Sequence, residues 1–119
     1  MTPKEQALAA VEIATRQKAN AAISAHIAQD YARLAKGDTV KTHALSHAAD
    51  ARRYATQAAA AYAKISTELD AVEEFAVECG DYHLCARLAQ ATEYERDARQ
   101  SANVATFAAE AAEAAAARL

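Results

Sequence analysis

The sequence predicts an all-α protein, an antiparallel up-down-up bundle of three long helices that forms a single domain over residues 1–119. Three observations support this prediction. About a third of the 119 residues are alanine, the best helix former, and Pro3 is the only proline. The only two glycines, Gly37 and Gly80, are each followed by aspartate and divide the chain into three similar lengths. Apolar residues recur at alternating steps of three and four along each length.

The first helix is expected from about Pro3 to Lys36. Thr2 is a suitable N-cap, and proline is tolerated at the first helical position. Gly37 is expected to end this helix in a left-handed conformation, and Asp38 to cap the helix that follows. Steps of three and four give an apolar seam broken only by lysine: Ala7, Val11, Ala14, Lys18, Ala21, Ala25, Ala28, Ala32 and Ala35.

The second helix is expected from about Thr39 to Cys79. Its seam contains no polar position: Ala44, Ala48, Ala51, Ala55, Ala58, Tyr62, Ile65, Leu69, Val72, Ala76 and Cys79. An alternative is a break near Ser66-Thr67, because Thr67 and Asp70 resemble a capping pair. A turn there would give a four-helix bundle. The seam passes Ser66 without a change of phase, which favours one continuous helix.

The third helix is expected from about Tyr82 to the C-terminus, with Gly80 as a left-handed stop before it and Asp81 as its cap. Its seam is broken only by glutamate: Leu84, Leu88, Ala91, Glu95, Ala98, Ala102, Ala105, Ala109, Ala112, Ala116 and Leu119. A seven-residue period sustained over three helices predicts coiled-coil-like packing.

Tight turns at both glycines would place Lys18 level with Gln57 and Asn103, and Glu95 level with Ser66. Two interpretations of these polar seam residues stay open. They form polar layers that fix the register of the bundle, or their long side chains reach solvent from the edge of the seam.

Charge and hydropathy restrict the class of protein. The net charge is −3 and is spread along the chain without a basic run, so we expect no nucleic-acid partner. The N-terminal segment lacks the apolar core of a signal peptide, and the longest purely apolar stretch, residues 58–63, is too short to span a bilayer. We therefore expect a cytoplasmic protein that does not enter a membrane.

Few residues suggest chemistry. The chain has no glycine-rich phosphate loop, HExxH motif or serine-histidine-aspartate set, so neither an enzyme nor a cofactor is expected. Cys79, His83 and Cys85 cluster at the second turn, where they are candidate ligands for a soft metal or a redox pair. A second candidate joins His26, His43 and His47 with Glu113. The alternative for both groups is a purely structural or exposed position.

One stretch resembles the last hairpin of four-helix-bundle copper storage proteins, over about residues 75–100. The resemblance is carried by Glu78-Cys79, by Cys85-Ala86-Arg87-Leu88-Ala89-Gln90-Ala91 and by Ala98-Arg99. That family lines its bundle with cysteines and stores copper(I) on them. The chain departs from this pattern because other residues stand where further cysteines would be expected: Phe75, Leu88, Thr92, Glu95 and Arg99.

The large apolar residues suggest a role in binding. They make up only about a sixth of the chain, which is less than a self-sufficient core usually contains. A stripe of them on the first helix, Ile13, Ile23, Ile27, Tyr31 and Leu34, lies off the alanine seam. Val104 and Phe107 point nearly opposite the seam of the third helix. Either the core rotates to use these residues, or a second copy or a partner covers them.

We therefore expect a small helical protein–protein interaction module, self-associating or docking on a partner protein, without catalytic chemistry. A regulator, an adaptor and a phage-type inhibitor all fit this description. The expected partner-binding residues are Ile23, Ile27, Tyr31, Leu34, Val104 and Phe107. The alternative function is a metal- or redox-responsive helical bundle that uses Cys79, His83 and Cys85.

Overall fold

A computed structural model describes residues 2–74 and 80–119, and it confirms the all-α three-helix bundle. The helices are α1 (Pro3–Gly37), α2 (Lys41–Ala71) and α3 (Tyr82–Ala117). Ala7, near the start of α1, clusters with Leu84 at the start of α3, whereas Ala35, near the end of α1, clusters with Ala44 at the start of α2. The helices therefore alternate up, down and up, in a bundle 59 Å long and 20 by 16 Å across.

The first helix begins as predicted but ends differently. The Thr2 hydroxyl accepts a hydrogen bond from the Glu5 backbone N–H at 3.2 Å, ahead of proline at the first helical position. The prediction of left-handed glycines is wrong, because neither Gly37 nor Gly80 has a positive φ. Gly37 is the last residue of α1, and the extended backbone of Asp38 (φ −71°, ψ 141°) then reverses the chain.

The helical conformation of Gly37 leads to a prediction: Gly37→Ala stabilises the protein by roughly 0.5 kcal/mol. A Cβ added at Gly37 meets nothing within 4 Å, and alanine restricts the unfolded chain more than glycine does. Denaturant unfolding measures the change. Gly80→Ala is the control outside a helix, where alanine also restricts the unfolded chain but gains nothing from helix propensity, so a smaller stabilisation is expected. A loss of stability at Gly37 would show that the turn requires a positive φ after all.

The start of α2 also differs from the prediction, since Asp38 does not cap it. Val40 is the N-cap and makes no side-chain hydrogen bond to the helix, which begins at Lys41 rather than Thr39. The Asp38 carboxylate instead lies 2.6 Å from Nδ1 of His47, in the second turn of α2. A histidine within reach competes for this carboxylate, so the local capping pattern was not sufficient to predict its partner.

The second half of α2 shows no break at Ser66-Thr67, the position of the alternative turn. The helix continues through Ser66 and Thr67, so the four-helix bundle with a turn at that point is not formed. It ends at Ala71, earlier than predicted, where the Val72 backbone (φ −114°, ψ 11°) leaves the helix and its N–H donates to the Leu69 carbonyl at 3.1 Å. The predicted seam positions Ala76 and Cys79 lie outside the described residues.

The start of α3 agrees with the prediction. One carboxylate oxygen of Asp81 accepts hydrogen bonds from the backbone N–H groups of His83 and Leu84, at 3.0 and 3.2 Å. The other oxygen lies 3.2 Å from Nζ of Lys4 on α1. The hydrogen bond from Leu84, followed by that from Lys4, holds the pKa of Asp81 below its ordinary value. This carboxylate therefore caps α3 and connects it to the start of α1.

The Asp81 cap predicts a pH-dependent contribution to stability. Because folding lowers the pKa of Asp81, its contribution is present above the ordinary carboxyl range of about 4 and is lost as the pH falls through the folded value. Asp81→Ala is expected to lower the thermal midpoint at neutral pH, with a difference from wild type that shrinks in acid. Asp81→Asn keeps the capping oxygen but loses the charge, so it isolates the pair with Lys4. An unchanged midpoint in Asp81→Ala would contradict the cap.

The buried face of each helix follows the predicted seams closely. Every alanine of the α1 seam is buried, while Val11 and Lys18 are half-buried. The buried faces also include four neighbouring positions, Ala10, Ser24, Ala61 and Ala108. Each helix of a three-helix bundle contacts two others, so its buried face is wider than the two positions per heptad of a simple seam.

The predicted heights of the helices need correction. Lys18 lies 3.5 Å from Asp97 and 4.4 Å from the centre of the Tyr94 ring, not level with Asn103. The prediction assumed that α2 extends to a tight turn at Gly80, whereas α2 ends at Ala71 and α3 is shifted along the bundle. The Lys18 side chain reaches a partly exposed carboxylate at the edge of the seam, which favours the solvent-reaching interpretation.

Candidate protein-interaction surfaces

The large apolar side chains of this bundle lie mostly outside its core. Ile65 and Leu84 are the largest fully buried side chains in the described residues. Phe107 is 75% exposed, Ile23 is 59% exposed and Leu34 is 49% exposed, whereas the seam alanines of the same helices are buried. The possibility that the core rotates to use these residues is therefore wrong. Alanines form most of the interior, and most of the larger apolar residues remain at the surface.

The first surface is a groove between α1 and α2, here named the α1–α2 groove, with a volume of about 540 Å³. Ile23 and Ile27 form its apolar wall on α1, opposite Tyr54 on α2, and Ser24 and Ala61 are buried beneath them. Its only charged lining residue is Lys64. The complete lining is Gln17, Asn20, Ile23, Ser24, Ile27, Tyr54, Gln57, Ala60, Ala61 and Lys64. The groove is therefore apolar with a rim of neutral amides.

The second surface is a groove between α1 and α3, here named the α1–α3 groove, with a volume of about 380 Å³. Val104 and Phe107 form its apolar wall, and its floor consists of alanines. Arg33 and Lys36 border it on α1, and Arg33 also pairs with Asp30 one turn earlier. This groove therefore combines an exposed aromatic ring with basic side chains.

The predicted partner-binding residues do not form one continuous patch. Ile23 and Ile27 line the α1–α2 groove, whereas Val104 and Phe107 line the α1–α3 groove. Leu34 is exposed but lines neither groove. The two isoleucines and the Val104–Phe107 pair thus lie on opposite flanks of α1. Neutral amides border the first pair, and basic side chains border the second.

Tyr31, the remaining member of the predicted set, belongs to a partly buried cluster that sequence reasoning missed. Its ring stacks on Tyr54 with the ring centres 5.9 Å apart, and it lies 6.0 Å from the ring of His47. His47 is in turn held by Asp38 in the connection between α1 and α2. The heptad spacing of His47 and Tyr54 was a usable signal, because it places both rings on the flank of α2 that faces α1.

The candidate metal ligands are only partly described by the structure. Cys79 lies outside the described residues, His83 is exposed with its ring 5.8 Å from that of Tyr82, and Cys85 is half-buried. The trio therefore stays a prediction. Within residues 2–74 and 80–119, no three histidine, cysteine or acidic side chains come close enough to hold a metal ion.

The histidine group predicted around His47 is not assembled. His47 pairs with Asp38, while His26 lies 3.7 Å from Asp30 on its own helix. Glu113 is bound by Arg52 through two hydrogen bonds, at 2.6 and 3.2 Å. These bonds raise the pKa of Arg52 and lower that of Glu113.

No described helix contains an apolar stretch long enough to cross a membrane. Comparison of the chain with models of protein families, with curated proteins and with solved structures finds no match. The resemblance of residues 75–100 to copper storage proteins therefore stays an expectation from the sequence, and the two grooves beside α1 are the features on which a functional proposal rests.

Proposed function

We propose that this chain is a small helical protein–protein interaction module, which associates with itself or docks on another protein and has no catalytic chemistry of its own. The observation that carries the proposal is that small apolar side chains are buried while several of the largest ones are exposed. Ile23 and Phe107 project from the surface on either flank of α1, while most of the buried side chains between the helices are alanines.

The energetics of burial support this proposal. Fully burying an exposed isoleucine or phenylalanine side chain contributes about 1.5–3 kcal/mol, and the exposed fractions of Ile23 and Phe107 make more than half of this available on binding. The exposed residues are concentrated along two grooves, each between a pair of long helices that fix its shape before binding. A surface formed in advance lowers the entropic cost of association. Such a surface would suit a regulator, an adaptor or a phage-type inhibitor.

The proposal is tested by comparing surface variants in a binding assay. The tagged chain is immobilised and exposed to an extract of its host, in parallel with Ile23→Glu and Phe107→Glu. Ala63→Glu places the same new charge on an exposed position of α2 outside both grooves, and it serves as the matched control. We expect wild type and the control to retain a binding protein, or to self-associate, and at least one groove variant to lose this association.

The opposite result is equally clear. If the purified chain stays monomeric, and the proteins retained by wild type are retained equally by both groove variants, then neither groove is an interaction surface and the proposal is wrong. Both substitutions are at exposed positions, so the helices are expected to stay intact. Circular dichroism of each variant checks this.

A further inference from the structure

The pair formed by Asp38 and His47 is the least exposed ion pair between described residues. Nδ1 of His47 lies 2.6 Å from the Asp38 carboxylate, and the two side chains are 28% and 17% exposed. In every other such pair, at least one side chain is 47% exposed or more. Charges are screened less where water is excluded, so the charge state of His47 matters more to its partner than that of an exposed histidine does.

This pair joins the connection between α1 and α2 to both helices. Asp38 directly follows α1, and His47 lies in the second turn of α2. The ring of His47 lies 6.0 Å from that of Tyr31 on α1, which stacks on Tyr54 of α2. Tyr54 also lines the α1–α2 groove. A change at His47 is therefore positioned to affect both the start of α2 and the aromatic wall of this groove.

Two titratable groups from outside α2 face the His47 ring in the described structure. The Asp38 carboxylate comes from the connection, and the Tyr31 phenol comes from α1. On the same helix as His47, His43 lies one turn earlier and is exposed. Asp38 is therefore the acidic group in direct contact with this imidazole.

Other charged groups near this end of the bundle have different partners or directions. One turn further along α2, Asp50 lies 3.5 Å from Arg53. On α3, Glu113 is bound by Arg52 through two hydrogen bonds. Lys36 of α1 lines the α1–α3 groove. These groups leave the carboxylate in the connection as the charge that responds directly to protonation of the histidine.

The start of α2 offers the Asp38 carboxylate a second position. The N-cap of α2 is Val40, which provides no side-chain acceptor for the N–H groups of the first turn. If Asp38 became the N-cap, α2 would gain Thr39 and Val40, and the carboxylate would accept hydrogen bonds from the N–H groups of Val40 and Lys41. The loss of the contact with His47 is then compensated by a longer helix with a capped end.

We propose that Asp38 and His47 form a pH-sensitive latch, in which the protonated imidazole holds the carboxylate and deprotonation releases it to cap α2. Histidine ordinarily changes charge at about pH 6.5 and aspartate at about pH 4. Between these values both groups are charged, and charge strengthens their hydrogen bond. The latch therefore stabilises the protein in mildly acidic solution, and this contribution is lost as the pH rises through the histidine range. The inference goes beyond the proposed function and does not require either groove to bind a partner.

The pH dependence of thermal stability tests the latch. His47→Gln keeps a neutral hydrogen-bond donor at this position but cannot become charged. Relative to wild type, its thermal midpoint is expected to rise by roughly 4 °C between about pH 5.5 and about pH 8, because wild type loses the charged contact over this range. His43→Gln makes the same change at an exposed histidine of α2 and is the matched control. Its difference from wild type is expected to stay constant.

A double variant tests whether Asp38 is the partner of the charged histidine. At about pH 5.5, Asp38→Asn is expected to lower the thermal midpoint as His47→Gln does. The two changes together are expected to lose no more than the larger single loss, because both remove the same contact. Additive losses would show that the two side chains act separately, and they would contradict the latch.

Nuclear magnetic resonance of the unmodified chain follows the release itself. As the His47 ring loses its proton, the amide signals of Val40 and Lys41 are expected to shift with the same titration midpoint, since both N–H groups gain the Asp38 carboxylate as acceptor. Asp38→Ala is expected to abolish these amide shifts. Titration of the ring that leaves both amides unchanged would overturn the proposal, and so would a midpoint difference between His47→Gln and wild type that is equal at both pH values.

Discussion

Ile65→Ala is expected to lower the free energy of unfolding by about 3 kcal/mol and the thermal midpoint by about 10 °C. Among the described residues, Ile65 is the one large side chain that is fully buried in its cluster, whose other buried members are Ala14, Ala21, Ala61, Ala91 and Ala98. Four larger side chains pack against this cluster from partly buried positions: Val11, Tyr62, Leu69 and Tyr94. Alanines cannot extend to fill the space that the truncation leaves, so it is filled only as far as the partly buried side chains around the cluster move inward. The cost therefore includes a cavity in addition to the lost transfer of the side chain from water.

Ile23→Ala is the matched control for this prediction, since it makes the same truncation at a side chain that is 59% exposed. Measured at a concentration where the chain is monomeric, it is expected to change the free energy of unfolding by less than about 0.5 kcal/mol. Equal losses at the two positions would contradict the arrangement in which Ile65 belongs to the core and Ile23 to the surface. Denaturant titration followed by circular dichroism gives both values.

The sequence was sufficient to predict which face of each helix is buried. The apolar seams are long and have a constant period, so their phase fixes the inward direction along the whole helix. Phe107 illustrates this, because it was placed nearly opposite the seam of α3, and its ring is exposed while the seam alanines are buried. The two-glycine division also located the connections, although Gly37 and Gly80 do not adopt the left-handed conformation that motivated it.

The sequence was not sufficient to predict the longitudinal alignment of the helices. Nothing in the local pattern at Ala71 signals a helix end, since neither glycine nor proline is near, so a continuous helix to Gly80 was assumed in the predicted heights. The partner of Asp38 was missed for a related reason. Its choice of His47 over the N-terminus of α2 depends on how an extended connection directs the carboxylate, which the periodicity of the flanking helices does not specify.

The division of the predicted binding set between two grooves has the same origin. Helical periodicity placed Ile23 and Ile27 off the α1 seam and Phe107 opposite the α3 seam, and both statements hold in the structure. Whether such residues share one surface depends on which side of α1 each neighbouring helix occupies. The side on which α2 and α3 lie beside α1 is a property of the assembled bundle, and the seam of a single helix does not specify it. The different charges of the two grooves therefore became visible only once α2 and α3 were placed.

The alanine core itself predicts the second large effect: Ala51→Leu is expected to destabilise the protein by about 3 kcal/mol. Ala51 is fully buried in a cluster of fifteen residues, all of them alanine, contributed by the three helices. Helix axes approach one another according to the size of the side chains at their contact, so an all-alanine contact leaves no space for a larger group. A leucine must either separate the helices or adopt a strained rotamer, and overpacking of this kind costs about 1–3 kcal/mol or more.

The effect of Ala51→Leu distinguishes a tightly packed alanine core from a core that contains empty space between the helices. Ala63→Leu, at an exposed position of the same helix, is the matched control and is expected to be nearly neutral, because leucine and alanine are both good helix formers. If Ala51→Leu instead raises the thermal midpoint, as a larger side chain does when it fills empty space, the helices are loosely packed and the interior has room for bulk. The alanine-rich interior would then reflect incomplete packing. A large loss of stability would instead show that alanine is required at this helix contact. In that case this part of the core has no room for the larger apolar residues that lie on the surface.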